Sequence, residues 1–130
     1  MELTRRKALE LSVALWKYLA QTGSPYKSDF IENSQRFAVE AYGWPKDGCW
    51  MCELYRQQRC HLCPLYESGQ CCLNAGTAWR IWYSLVTSSL GSEQLQFCAN
   101  QIYIIFLNAL KKEIAAENHL LPMASWRPKQ

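Results

Sequence analysis

Residues 49–72 read "CWMCELYRQQRCHLCPLYESGQCC" and hold six of the seven cysteines of this 130-residue chain. Two eleven-residue blocks lie in register, "CWMCELYRQQR" and "CHLCPLYESGQ", both beginning C-x-x-C-x-L-Y, and a third block starts at Cys71. A C-x-x-C turn brings two sulfurs to one side of a tight bend, and two such turns supply the four thiolates that tetrahedral Zn²⁺ prefers. The pairs are Cys49/Cys52 and Cys60/Cys63, with seven residues between them. At about 3.3 Å per residue such a linker is long enough to reverse and return. Leu54–Tyr55 and Leu65–Tyr66 are expected to roof the ion from equivalent positions. A thioredoxin-like redox pair fits poorly, because no βαβ pattern surrounds either motif.

The ligand set has alternatives. Cys71 or Cys72 could replace Cys60 or complete a different set, and His61 sits inside the second turn. Pro64 directly follows Cys63, as in bacterial ferredoxins, which keeps an iron–sulfur centre open. The C-x-x-C-x-x-C run of those ferredoxins is missing, and zinc is the favoured metal. One structural zinc ion held by Cys49, Cys52, Cys60 and Cys63 is the expectation. Either metal centre with four thiolates adds −2, taking the formal charge from +3 to about +1.

Around this segment the pattern is helical. Leu9, Val13, Trp16 and Ala20 follow helix spacing, with Leu15 and Leu19 beside them, Thr4 as cap and Gly23 as terminator. A second helix over about Asp29–Tyr42 carries Phe30, Phe37 and Ala41, flanked by Ile31 and Ala38, and stops at Gly43 and Pro45. A third, about Thr77–Ser88, sets Trp79, Trp82, Tyr83 and Val86 on one face. The last, about Ser92–Asn118, lines up Leu95, Cys98, Ile102, Ile105 and Ala109, widened by Ala99, Phe106 and Leu110. That face is broad enough for two neighbours, and Cys98 reads as a small core residue. The expected fold is mainly α: one domain, a small bundle of about four helices with a cysteine-rich, metal-stabilised insert. Its parts are N-terminal helices (1–43), the metal-binding loop (44–76), C-terminal helices (77–118) and a tail (119–130).

Composition narrows the function. The 14 basic and 11 acidic residues are interleaved, whereas a nucleic-acid binder usually shows a basic stripe. Only "RRK" at Arg5–Lys7 and "WRPK" at Trp126–Lys129 approach one. Glu10, Ser12 and Lys17 interrupt the first apolar segment and no cleavage site follows, so no signal peptide is expected. The run "IYIIFL" at Ile102–Leu107 is far shorter than the roughly 20 residues of a membrane span. A cytoplasmic chain with reduced thiols is expected. With two His and two Asp, Asp29 and Asp47, there is little material for triads or paired carboxylates. No H-x-E partner accompanies Glu53, and no phosphate-binding glycine loop occurs. The metal therefore reads as structural, and the chain as no enzyme.

"LWKYLAQTGSPYKSD", "CWMCELY", "CHLCPLYESGQCC" and "AWRIWYSL" together resemble a group of small phage and prophage proteins. These share an LW-x-W/Y-L-A helix, a C-x-x-C, a C-x-x-C-P-L and one more cysteine before a Trp-containing helix. The resemblance covers about Leu15–Ser84. Carried over, it picks out Cys49, Cys52, Cys60, Cys63 and one of Cys71 or Cys72; having both of the latter is a departure. It implies a phage accessory role in the host cytoplasm. The favoured function is binding of a host protein, such as a component of bacterial defence, with Trp44, Trp50, Tyr55 and Tyr66 as contact residues or as core around the zinc. The alternatives are a small nucleic-acid-binding zinc regulator using Arg56, Arg59 and Arg80, and an iron–sulfur protein.

Structural zinc contributes about 10–16 kcal/mol in peptides, comparable to the whole stability of a domain, about 5–15 kcal/mol. Purified protein is accordingly expected to be colourless with one zinc per chain. Chelation should abolish near-UV circular dichroism from the middle of the chain; brown absorption, or a melting curve unchanged after complete metal removal, is the opposite outcome.

Overall fold

A computed structural model describes residues 2–55, 62–69, 76–88 and 92–125, with residues 87–88 and 119–125 as backbone only. The described chain is mainly helical, as expected. In order come α1 (Arg5–Thr22), α2 (Lys27–Ser34), α3 (Arg36–Tyr42), α4 (Trp50–Leu54), α5 (Pro64–Glu67), α6 (Ala78–Ser88) and α7 (Ser92–Ser125), with a 3₁₀ turn at Lys46–Gly48 before α4. No described helix is long and apolar enough to cross a membrane.

α1 and α7 form the most extensive helix pair, and α6 and α5 pack on α7 as well. α1 buries Leu9, Leu11, Leu15, Trp16 and Leu19; α7 answers with Leu95, Cys98, Ala99, Ile102 and Phe106. The predicted seam of α7, Cys98 included, is therefore the core face. Val13 and Ala20 of α1 are only partly buried, while Ala8 and Ser12 lie deep. α1 starts on Thr4, whose Oγ1 accepts the Lys7 N–H at 3.1 Å, and ends on Gly23 at φ 71°. A Cβ on Gly23 would stand 2.7 Å from Ser92 Cβ, so glycine here permits both the turn and the approach of α7's first residue.

Among the described residues there are seven α-helices where about four were expected, within the mainly helical class that was expected. The second predicted helix divides at Gln35 (φ −122°, ψ 23°) into α2 and α3, and its apolar face is displaced. Ile31, Gln35 and Ala38, at i, i+4 and i+7, are buried, while Phe37 is 57% exposed. A polar residue occupies the middle of the buried stripe, so apolar periodicity picked the wrong neighbours. Gln35 is there to bond: its Nε2 donates to Leu11 O at 2.9 Å and its Oε1 accepts from Trp50 Nε1 at 2.8 Å. The last helix also runs seven residues beyond its predicted end at Asn118, through Pro122 to Ser125. Pro122 removes one backbone donor from that turn, which the helix tolerates.

Gln35→Leu should lower stability by about 1–3 kcal/mol, the cost of leaving a buried indole N–H and its surroundings unsatisfied, as read by urea denaturation. Phe37→Ser, on the exposed face, should change it by less than about 0.5 kcal/mol.

Candidate metal centre

The chain enters the cysteine segment through a tight reversal. Asp47 (φ 54°) and Gly48 (φ 67°) are consecutive left-handed residues, a conformation that Asp tolerates and Gly adopts freely. The Glu53 carboxylate accepts the Lys46 N–H at 3.0 Å, closing the turn from its far side. Cys49 follows as an extended residue (φ −127°, ψ 114°) capping α4, and its Sγ accepts the Cys52 N–H at 3.4 Å. Cys49 is buried and Cys52 half-buried. An N–H aimed at the first sulfur of a C-x-x-C turn stabilises negative charge there, which a metal-bound thiolate requires.

Cys63 is half-buried and caps α5 in an extended conformation (φ −77°, ψ 137°). Pro64 explains this: it disfavours helical backbone at the residue before it and is well suited to the first helical position. Hence the two blocks, alike in sequence, fold in different register. The first C-x-x-C is inside the start of α4, whereas α5 begins only after Cys63. The Leu–Tyr pairs of the two blocks differ in burial. Leu65 is buried but Leu54 only half-buried, and Tyr55 is half-buried while Tyr66 is 51% exposed.

Cys60, His61, Cys71 and Cys72 lie outside the described residues, as do Arg56 and Arg59. Cys49 and Cys52 are brought together. Among the described residues no group of three or more His, Cys, Asp or Glu side chains could hold a metal ion. Cys98 stands apart, buried in the α7 core, where desolvation raises its thiol pKa and disfavours the thiolate.

The residue that ties the blocks together is Arg5. Its Nη1 donates to Tyr55 Oη at 2.8 Å, at the end of the first block, and to Leu62 O at 2.7 Å, inside the second. Nε lies 3.3 Å from Glu113 on α7 and Nη2 3.7 Å from Glu67 on α5. Burial opposes the charge on Arg5, but the Tyr55 hydrogen bond and the two carboxylates prevail and its pKa rises. One local sign was available: Arg5, Arg6 and Lys7 put three cations in the first turn of α1, where the helix dipole disfavours them and no acidic residue balances them. Carboxylates beyond that turn resolve this: Glu10 of the same helix pairs with Arg6 and Lys7, and Glu117 of α7 pairs with Arg6.

No protein-family model matches the chain, and neither does any curated protein or any solved structure.

Arg5→Met keeps the aliphatic stem and removes every one of these bonds. It should speed amide hydrogen exchange in residues 50–55 and 62–67 together, with little change in the centre of α7. Equal protection in both segments would show that Arg5 does not hold them.

Proposed function

We propose that the protein is a phage accessory factor without catalytic activity, which binds a host protein through a surface stiffened by one structural zinc ion. Cys49, Cys52, Cys60 and Cys63 are the proposed ligands. Support for a metal comes from the C-x-x-C repeat and from the Cys52 N–H bonded to Cys49 Sγ. The zinc would fix the relative position of two short helices that have too little apolar area to fold alone.

The observation that carries the binding reading is the exposure of aromatic rings just before and within the cysteine blocks. Trp50 is wholly buried and belongs to the core, but Trp44 is 45% and Tyr66 51% exposed. Large amphipathic rings of this kind are favoured as interface anchors. Charge supports protein over nucleic acid as the partner, because the RRK segment is engaged with Glu10, Glu67, Glu113 and Glu117. A phosphate backbone would have to compete with those carboxylates.

A tagged Trp44→Ala/Tyr66→Ala double variant should fold like the parent by circular dichroism, since both rings are exposed. It should lose at least tenfold in capture of the host protein that the parent retains from lysate. Undiminished capture, or no specific capture by the parent, would remove this reading.

A further inference from the structure

We propose that the outer face of α7 is an interface with a second copy of this chain, whose own α7 lies antiparallel across it. Glu93, Phe97, Asn100, Ile104, Leu107 and Lys111 follow one another at spacings of 4, 3, 4, 3 and 4 residues. That is the heptad alternation that keeps one stripe of a helix facing a partner helix. The buried residues of α7, among them Leu95, Ala99, Ile102 and Phe106, lie on the other side of the helix and meet the bundle. On the stripe itself Phe97 is 65% and Ile104 45% exposed, Leu107 is half-buried, and Glu93, Asn100 and Lys111 are exposed.

The order of residues along the stripe selects the occupant. Its spacing reads the same from either end, so a second α7 running the opposite way meets the first with every position filled. Glu93 then falls opposite the second copy's Lys111 at both ends, and Phe97 opposite its Leu107 in the next two layers. Asn100 and Ile104 share the two central layers. There the two Asn100 amides would flank the axis, each offering the donor and the acceptor that the other needs. An Asn in such a seam fixes register at a cost in stability. A parallel pair would instead set Glu93 against Glu93 and Lys111 against Lys111, which like charge opposes.

The charges of the stripe are otherwise uncommitted. Glu113 and Glu117 of α7 pair with Arg5 and Arg6, whereas Glu93 and Lys111 make no ion pair among the described residues. No opposite charge lies three or four positions from either of them along the chain. Glu93 also suits the positive end of α7, but Lys111, in mid-helix, has no such local role. From Glu93 to Lys111 the seam is about 27 Å long at roughly 1.5 Å per residue. Three apolar side chains from each copy over that length suit a dimer that forms and dissociates with concentration, not an obligate one.

Sedimentation equilibrium on the full chain over a dilution series should show single and paired chains in exchange. Lys111→Glu or Glu93→Lys puts like charges in both outer layers and should weaken association at least about tenfold. Mixing the two single variants should restore it, because each outer layer then holds one charge of each sign, and native mass spectrometry should find one copy of each variant in the pair. A parent that stays single at every concentration gives the stripe to another partner and overturns the proposal. Association indifferent to either charge reversal, or variants that do not recombine, overturns it as well. All six side chains are at least partly exposed, so the variants should match the parent by circular dichroism. Should Glu93→Lys fail to fold, Lys111→Glu decides alone, an unchanged dissociation constant overturning the proposal. The measurement needs no host protein.

Discussion

The amide of Gln35 is the constraint around which the N-terminal half is built. One side chain joins the backbone of α1, through Leu11 O, to the indole of Trp50 in α4, and it does so from the break between α2 and α3. Both ends of the amide are satisfied in a buried setting, where a hydrogen bond is strong and a missing partner is costly. Trp50 is wholly buried, so the first cysteine turn is fastened to the bundle through its own second residue. The helix break falls at the same residue, between α2 and α3.

Arg5 plays the complementary part from the other end of α1. Gln35 fixes the first block to the core, and Arg5 then fixes the second block relative to the first, with Glu67 and Glu113 balancing its charge. Being half-exposed, these ion pairs contribute modestly as energies. Their value is geometric: a planar guanidinium with five donors can serve several acceptors from one position. The same pairing changes the meaning of the basic N-terminal segment. Three adjacent cations look like a patch for phosphate, yet in the fold they are an internal brace.

The repeat shows how far a pattern of identical residues can be read. C-x-x-C-x-L-Y occurs twice, and shared spacing suggested shared conformation. One difference between the blocks, Glu53 against Pro64, is enough to shift the start of the helix by three residues, from just after Cys49 to just after Cys63. Proline acts on the residue before it through steric exclusion, an effect that a match of cysteine positions does not register. The closeness of Cys49 and Cys52 was legible in the C-x-x-C spacing. The unlike surroundings of Tyr55 and Tyr66 were not, because burial depends on which helix each block meets.

The sequence by itself determined the helical class, the ends of α1 at Thr4 and Gly23, the core face of α7 and the place of Cys98 on it. Each of these rests on local chemistry: a capping hydroxyl, a left-handed glycine, or apolar residues recurring at helical period over many turns. Tertiary structure alone decided that Gln35 is buried while Phe37 is exposed, that Arg5 links residues fifty and more positions away, and that three tryptophans from two helices surround Lys27. Those arrangements are set by long-range partners. A polar side chain is buried where its hydrogen bonds are met, and a cation is held where rings and carboxylates converge, and neither condition is written in the residues next to it in the chain.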